Sequence, residues 1–272
     1  MERALFRRGD GCGMSENLHV EIHDGVAEVT LNRPRQRNAL TLSMYERLLG
    51  FCEKAARDSS LRAVLITGAG DKAFAAGTDI AEFHSVQTAD DGLAYEAKIE
   101  RVLSALETLA VPTIAAIAGA CTGGGAAIAA CCDLRIATRS MKFGFPIART
   151  LGNCLSVANY TRLTHLIGPA RVKDLFFTAR LMEADEALSV GIVNELVDDH
   201  ETLMRRARAM TTTVAGHAPL TLRATKEALR RIAAAQTLPP DDDLVGLCYG
   251  SKDFREGIDA FLGKRAPVWR GE

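Results

Sequence analysis

The chain has 272 residues, 47% of them hydrophobic and 25% charged, and its 33 basic against 34 acidic residues leave a formal net charge of -1. That is the make-up of an ordinary globular protein, long enough for one large domain or a main domain with an appendage. So even a balance offers no electrostatic handle for nucleic acid or for an anionic membrane surface.

Taken in chain order, the first 13 residues, MERALFRRGDGCG, lack the apolar stretch of a signal peptide, and a second methionine follows at Met14. They are expected to belong to a variable extension, ending near residue 17, or to precede the true start. Residues 19–31, HVEIHDGVAEVTL, alternate apolar and polar around Asp24-Gly25 and predict a hairpin with a tight turn. Ser43 with Glu46 three residues on has the form of a capping box for a helix reaching about Arg57. Ala63 to Thr67 (AVLIT) is a short apolar run, as expected of a buried strand. A second helix is predicted from Leu93 to Leu109, with Ile99, Val102, Leu103 and Leu106 at helical spacing, and a second buried strand from Thr113 to Ala118. Repetition of helix then strand predicts parallel strands joined by crossovers.

Residues 109–132 carry no charge, but Pro112 and the glycines at 119 and 123–125 fit a buried strand, loop and helix start better than a membrane span. Asp133 to Thr138 predicts another strand. Helix is then expected through His165, from Pro169 to Thr178 and from Glu183 to Ser189, with a last strand at Val193 to Val197. Two amphipathic helices, about 200–215 and 219–235, precede Pro239-Pro240 and a tail ending near Trp269. The expected division is an extension (1–17), an α/β core (18–199) and a helical C-terminal region (200–272). Seven cysteines, at 12, 52, 121, 131, 132, 154 and 248, form no Cys-x-x-Cys pair, so neither a metal site nor a disulfide framework is suggested, and a reduced cytoplasmic compartment is expected.

Two glycine-bearing turns stand out, Ala73 to Ile80 (AFAAGTDI) and Ala120 to Ile128 (ACTGGGAAI), each after a short strand region and each opening a helix. Two readings remain open on spacing alone. They are tight strand-to-helix turns with glycine for steric reasons, or they present backbone N–H groups to a carbonyl oxygen that gains negative charge, as a thioester does on enolisation. A dinucleotide or phosphate loop fits less well, since GGG lacks the G-x-G-x-x-G spacing and no Gly-Lys-Ser/Thr follows.

NRPRQRNAL (Asn32 to Leu40), AFAAGTDI, VPTIAAIAGACTGGGAAIAACCDLRIAT (Val111 to Thr138), FGFP (Phe143 to Pro146), ARLMEADEALSVGIVNELV (Ala179 to Val197) and FREGIDAFLGKRAPVW (Phe254 to Trp269) appear in that order. Together they resemble the crotonase superfamily, the enoyl-CoA hydratases and isomerases, over roughly residues 18–270. The resemblance implies an α/β spiral of ββα units and a helical C-terminal region that mediates trimers, which often pair into hexamers. It implies a lyase or isomerase of acyl-CoA and fatty-acid metabolism, with no cofactor because coenzyme A is part of the substrate. It places the oxyanion-hole amides at Ala76 and Gly124. Ala76, Gly77, Thr78 and Asp79 would line the thioester end, and Asn38, Ala39 and Leu40 would touch the CoA moiety.

Hydratases of that family carry one glutamate two residues after the GGG and another directly after the later proline. Here those positions hold Ala127 and Ile147, and shifting the second register by one residue reaches only Ala148. Asp133 is the single acidic residue between Thr108 and Lys173, so no local realignment restores the pair. Hydration needs one group to deprotonate water and another to deliver a proton, so loss of both leaves enolate stabilisation without that chemistry. Arg149 is a candidate for holding a substrate carboxylate. Asp79, Glu82 and His84 are candidate bases, each with an ordinary reading as a capping or solvated residue. Asn153 and Cys154 offer a polar pocket, Ser156 a helix cap, and Cys121, Cys131 and Cys132 read as small hydrophobes. Three functions follow: an enolate-forming acyl-CoA enzyme with a changed reaction such as decarboxylation or double-bond migration, a hydratase that recruits Asp79 or Glu82, or a non-catalytic acyl-CoA-binding scaffold.

Overall fold

A computed structural model describes residues 17–235 and 239–272; all but the last residue of the expected extension (1–17) lies outside the described residues. The predicted hairpin forms from β1 (Leu18–His23) and β2 (Val26–Leu31), and Asp24 and Gly25 both take positive φ, 51° and 76°, as a two-residue turn requires. From β2 the chain runs through a 3-10 turn at Pro34–Gln36 into α1 (Leu42–Ala55), then lays down β3 (Ala63–Gly68) and, after a corner, β4 (Ala73–Ala75). A 3-10 helix (Ile80–Ser85) and α2 (Ala89–Glu107) lead to β5 (Thr113–Ile117) and β6 (Ala120–Thr122). Then α3 (Gly124–Cys131) leads to β7 (Leu134–Thr138) and β8 (Lys142–Gly144). Each cycle thus contributes one strand to each of two sheets, ordered β1-β2-β3-β5-β7-β10 and β4-β6-β8-β9, where β9 is Met182–Glu183 and β10 is Glu195–Val197. All neighbours from β2 to β10 in the large sheet are parallel, as are β4, β6 and β8. This is the expected spiral of ββα units.

The apolar runs in β3 and β5 have no polar alternation because both faces are covered. Leu65, Ile114, Ala116 and Ile136 pack on Leu203, Met204 and Ala207 of α7 (His200–Ala215), while Val64, Ile66, Ala115 and Ile117 face the main core with Leu48, Leu103 and Ile128. Strand period two therefore sends alternate residues of one run into two different clusters.

Several local expectations are corrected. Thr41, not Ser43, caps α1, accepting the Met44 amide at 3.2 Å, and Glu46 pairs with Lys98 instead. The second helix begins four residues before Leu93, under a capping box made by Thr88 and Asp91. The two expected helices around His165 and Pro169 merge into α5 (Val157–Thr178), broken at Gly168 (φ 75°), and reach it through the short α4 (Ile147–Thr150). Beyond α6 (Ala184–Ser189) and α7, α8 (Pro219–Ala234) buries none of its residues. In the tail, within the region expected to be helical, α9 (Asp242–Tyr249) and α10 (Lys252–Leu262) fold back to enclose Phe83, Val86, Leu151, Val245, Tyr249, Phe254 and Ile258. None of the described helices is long and apolar enough to cross a membrane.

Candidate active site

The two glycine-bearing turns meet where β4 and β6 end side by side in the small sheet. Gly77 (φ 108°) and Gly123 (φ 52°, ψ -124°) take backbone conformations that side chains oppose, and the two turns approach each other closely there, a Cβ on Gly123 lying 3.3 Å from Gly77 Cα. A Cβ built on Gly124 would lie 3.3 Å from Thr78 Oγ1, so the two residues are in direct contact.

Hydrogen bonding decides which amides are available. Ala76 N–H, expected as an oxyanion donor, donates to Arg37 C=O at 3.0 Å and is spent. Leu40 bridges the first turn as a strand partner of Thr78: Leu40 N–H donates to Gly77 C=O (2.8 Å) and Asp79 N–H to Leu40 C=O (2.8 Å), while the amide between them, that of Thr78, points the other way. Among the described residues neither Thr78 N–H nor Gly124 N–H donates to another group, and Gly124, first residue of α3, has no intrahelical acceptor. Among the described residues the N–H groups of Gly77, Thr78 and Gly124 donate to no other backbone group, whereas the Ala76 N–H is engaged by Arg37.

The flanking candidates divide sharply. Asn38 is fully buried, with its oxygen accepting Arg33 N–H (3.0 Å) and its Nδ2 donating to Ala69 and Ala73 carbonyls (3.1 and 2.7 Å). It ties two loops together instead of offering a side chain to CoA. Ala39 C=O accepts from Arg33 Nη1 at 2.6 Å. Asp79 caps the 3-10 helix through Ala81 N–H and pairs with Arg33 at 2.8 Å, so its carboxylate is engaged beside the turn. His84 is exposed. Ala127 and Ile147 are buried in the apolar core, whereas Arg149 lies on the exposed side of α4. Ser156 caps α5, as its type suggested. Burial pushes the Cys121 and Cys131 thiols up, and that of Cys132 up to about 12, so all three are inert packing.

Sequence reasoning missed the hydroxyl cluster and the carboxyl behind the amides. Thr78 Oγ1 lies 3.0 Å from Tyr45 Oη and 2.9 Å from Tyr95 Oη. Tyr95 packs on Phe83 and on Tyr249 (ring centroids 5.0 and 6.0 Å), and Tyr249 O–H donates to Glu96 Oε1 at 2.6 Å. Glu96 is only 7% exposed, and burial pushes its carboxyl from 4.5 up to about 7, against the opposing hydrogen bond from Tyr249. The signal was present: Glu96 shares the helical stripe of Gly92, Ile99, Leu103 and Leu106, which is otherwise apolar. A raised carboxyl pKa makes the folded state hold a proton that the unfolded chain has already released. Native stability therefore falls as pH rises from 4.5 to about 7 and stays reduced above it, by about 3 kcal/mol from this group. Glu96→Gln is expected to flatten that slope, seen as a smaller loss of Tm between pH 5 and pH 8 than in the wild type.

The profile of the enoyl-CoA hydratase/isomerase family matches residues 21–272. The chain belongs to that family. The short-chain-enoyl-CoA hydratase of Clostridium acetobutylicum is 36% identical over 255 residues, covering 92% of this chain and 95% of the relative. Among solved structures of the family, an enoyl-CoA hydratase/carnithine racemase from Magnetospirillum magneticum superposes with a TM-score of 0.77 at 33% identity, covering 95% of this chain and 97% of that one. A methylmalonyl-CoA decarboxylase in complex with 2-nitronate-propionyl-CoA superposes with a TM-score of 0.85 at 28% identity, covering 95% and 100%. Family membership makes this chain an acyl-CoA enzyme of the hydratase/isomerase kind, and its side chains at 127 and 147 are apolar and buried.

Proposed function

We propose that the protein binds an acyl-CoA thioester, holds its enolate oxygen between the amides of Thr78 and Gly124, and is a poor hydratase. The observations that carry this reading are the contact between Thr78 and Gly124, whose amides donate to no other group among the described residues, and the buried apolar side chains at both expected carboxylate positions. Two preorganised donors stabilise the enolate at no reorganisation cost, each contributing about 10² to 10³ in rate in enzymes of this type. Hydration adds a demand for two acid–base groups on opposite sides of the double bond, and positions 127 and 147 supply neither.

Following the enoyl absorbance of crotonyl-CoA at high enzyme concentration tests this. Slow hydration is expected alongside tight binding of CoA esters; rapid hydration would sink it. Asp79→Asn is expected to change turnover by less than about threefold, because Asp79 serves Arg33 and the Ala81 amide. Its measurable effect is a stability loss of about 1 kcal/mol, typical of a lost cap or partly exposed pair.

A second reading, decarboxylation of a dicarboxylic acyl-CoA, is favoured by the high superposition on the methylmalonyl-CoA decarboxylase. It also needs an oxyanion hole and no water-activating pair, and carbon dioxide release from a malonyl-type thioester would distinguish it. For assembly, the reading is a homotrimer or a hexamer of two trimers. Supporting it, α8 buries none of its residues within the single chain and exposes the large apolar side chains of Leu220, Leu229 and Ile232.

A further inference from the structure

Tyr45 carries a hydroxyl into an otherwise apolar core, and that oxygen ends against both residues of the amide pair. The residue stands in the first turn of α1, below the Thr41 cap, with its N–H donating to Thr41 C=O at 3.1 Å. Its side chain is 1% exposed and belongs to the main core cluster. Leu40, just before this helix, makes the strand bridge to Thr78. One short stretch of chain, 40–45, therefore reaches the first turn twice, through the backbone of Leu40 and through the side chain of Tyr45.

Tyr45 Oη lies 3.0 Å from Thr78 Oγ1. It also occupies the space that Gly124 leaves: a Cβ built there would come within 2.0 Å of Tyr45 Oη. Gly77 and Gly123 are glycines because their backbone demands it, whereas Gly124 opens α3 without a positive φ and could carry a side chain as far as its backbone is concerned. What forbids one is the phenol oxygen. A single atom thus touches Thr78 by a hydrogen bond and Gly124 by close packing.

The state of the hydroxyls fits a spacer and not an acid. Burial pushes the Tyr45 and Tyr95 phenols up, against the hydrogen bonds from Thr78, so both stay protonated and uncharged at neutral pH. Thr78 Oγ1 has Tyr95 Oη as its second partner at 2.9 Å, and the Tyr95 ring packs on Phe83 and Tyr249. Phenols from α1 and α2 therefore grip the Thr78 side chain from two directions. The packing of Gly125 on Ala75 seats α3 against β4, but Thr78 lies three residues past the end of that strand, beyond the Gly77 turn. Its place relative to Gly124 is set by the Leu40 bridge and by Tyr45 Oη. Donors stabilise a developing oxyanion only when they are held in place before the charge appears, and a contact locked from behind supplies that.

We propose that Tyr45 is a positioning residue of the thioester site, its Oη acting as the spacer that sets the separation of the Thr78 and Gly124 amides, a role that rests on the thioester reading above. It touches no substrate atom in this role and moves no proton. Tyr45→Phe keeps the ring and removes the spacer.

Butyryl-CoA carrying carbon-13 at the thioester carbonyl tests this, with isotope-edited infrared spectra of the bound ester and its affinity measured separately by calorimetry. The wild type is expected to move the carbonyl stretch to lower wavenumber than in water, as two amides polarise the oxygen. Tyr45→Phe is expected to bind within about threefold of the wild type, because ground-state affinity depends little on this pair, yet to lose about half or more of the shift. Thr78→Val, which removes the other partner of the contact, is expected to lose a comparable share. The double variant is expected to lose no more than Thr78→Val alone, since both changes remove one contact. A steric arm uses urea midpoints: Gly124→Ala is expected to lower the midpoint in the wild type and to lower it less in the Tyr45→Phe background, where the blocking oxygen is gone. A wild-type shift in Tyr45→Phe, an equal cost of Gly124→Ala in both backgrounds, or a lost shift accompanied by a comparable loss of affinity would each overturn the proposal while leaving the thioester site in place. Binding by the wild type without any shift would remove the amide pair as an oxyanion site, and absence of binding would remove the thioester reading itself; this inference falls with either.

Discussion

Gly125→Ala is expected to cost about 3 kcal/mol of folding stability and to remove the binding of CoA thioesters. A Cβ on Gly125 would stand 2.3 Å from Ala75 C=O and 2.7 Å from Ala75 Cβ, and the first of these is main chain of β4, with no rotamer to yield. Relief requires α3 to move off the small sheet, which places the penalty at the upper end of the usual overpacking range. The same movement separates the Gly124 amide from that of Thr78, so chemistry is lost along with stability. Gly50→Ala is the matched control: nothing lies within 4 Å of its Cβ position and it sits inside α1. There the substitution is expected to stabilise by about 0.5 to 1 kcal/mol through helix propensity and reduced chain entropy. Urea midpoints of the two variants, with unchanged m-values, provide the comparison. Equal stability of Gly125→Ala and wild type would show that α3 and β4 are not locked as described.

Installing both missing carboxylates, Ala127→Glu with Ile147→Glu, is expected to raise crotonyl-CoA hydration by about 10²-fold or more over the wild type. Each acid–base group is typically worth about 10² to 10⁴, but the two act on opposite sides of one double bond, so either single substitution is expected to yield far less than the pair. Ala127 is the fourth residue of α3, one turn beyond the Gly124 amide, and Ile147 opens α4 with its backbone C=O already capping Leu151 and Gly152. Both positions are buried, so the double variant is expected to melt lower than the wild type, since unpaired carboxyls there pay for desolvation. A folded double variant that binds crotonyl-CoA with no gain would show that side chains at 127 and 147 do not reach the double bond.

What the sequence made legible follows from the length scale of each signal. The large sheet was readable because β3 and β5 each carry four consecutive apolar residues and are flanked by helices of clear period. The small sheet was not, because its strands of two or three residues, such as Ala73–Ala75 and Lys142–Gly144, are too short to show any alternation and read as parts of turns. Thr41 and Ser43 both carry a capping hydroxyl, and only the backbone path from Leu40 across to Thr78 determines which one is at the helix start. The same strand bridge decides which amides of the first turn are engaged. AFAAGTDI contains several equivalent-looking amides, and which of them is consumed depends on Arg37 and Leu40, more than thirty residues upstream. Glu96 was hidden differently: it is a charged residue in a helix, the most ordinary of sequence features, and only the arrival of Tyr249 from the far end of the chain buries it.

The proposed Thr78–Gly124 pair is built from main chain, whereas every group that could move a proton is a side chain. No single codon change to another residue with a backbone N–H deletes either donor; a change can only displace it, through the glycines that set its position. Proton-transfer groups, by contrast, are gained or lost one substitution at a time. Mutational drift in this chain therefore leaves the ability to hold an enolate largely intact while the fate of that enolate varies. Selection for a new reaction would start from a working intermediate and not from an inert scaffold.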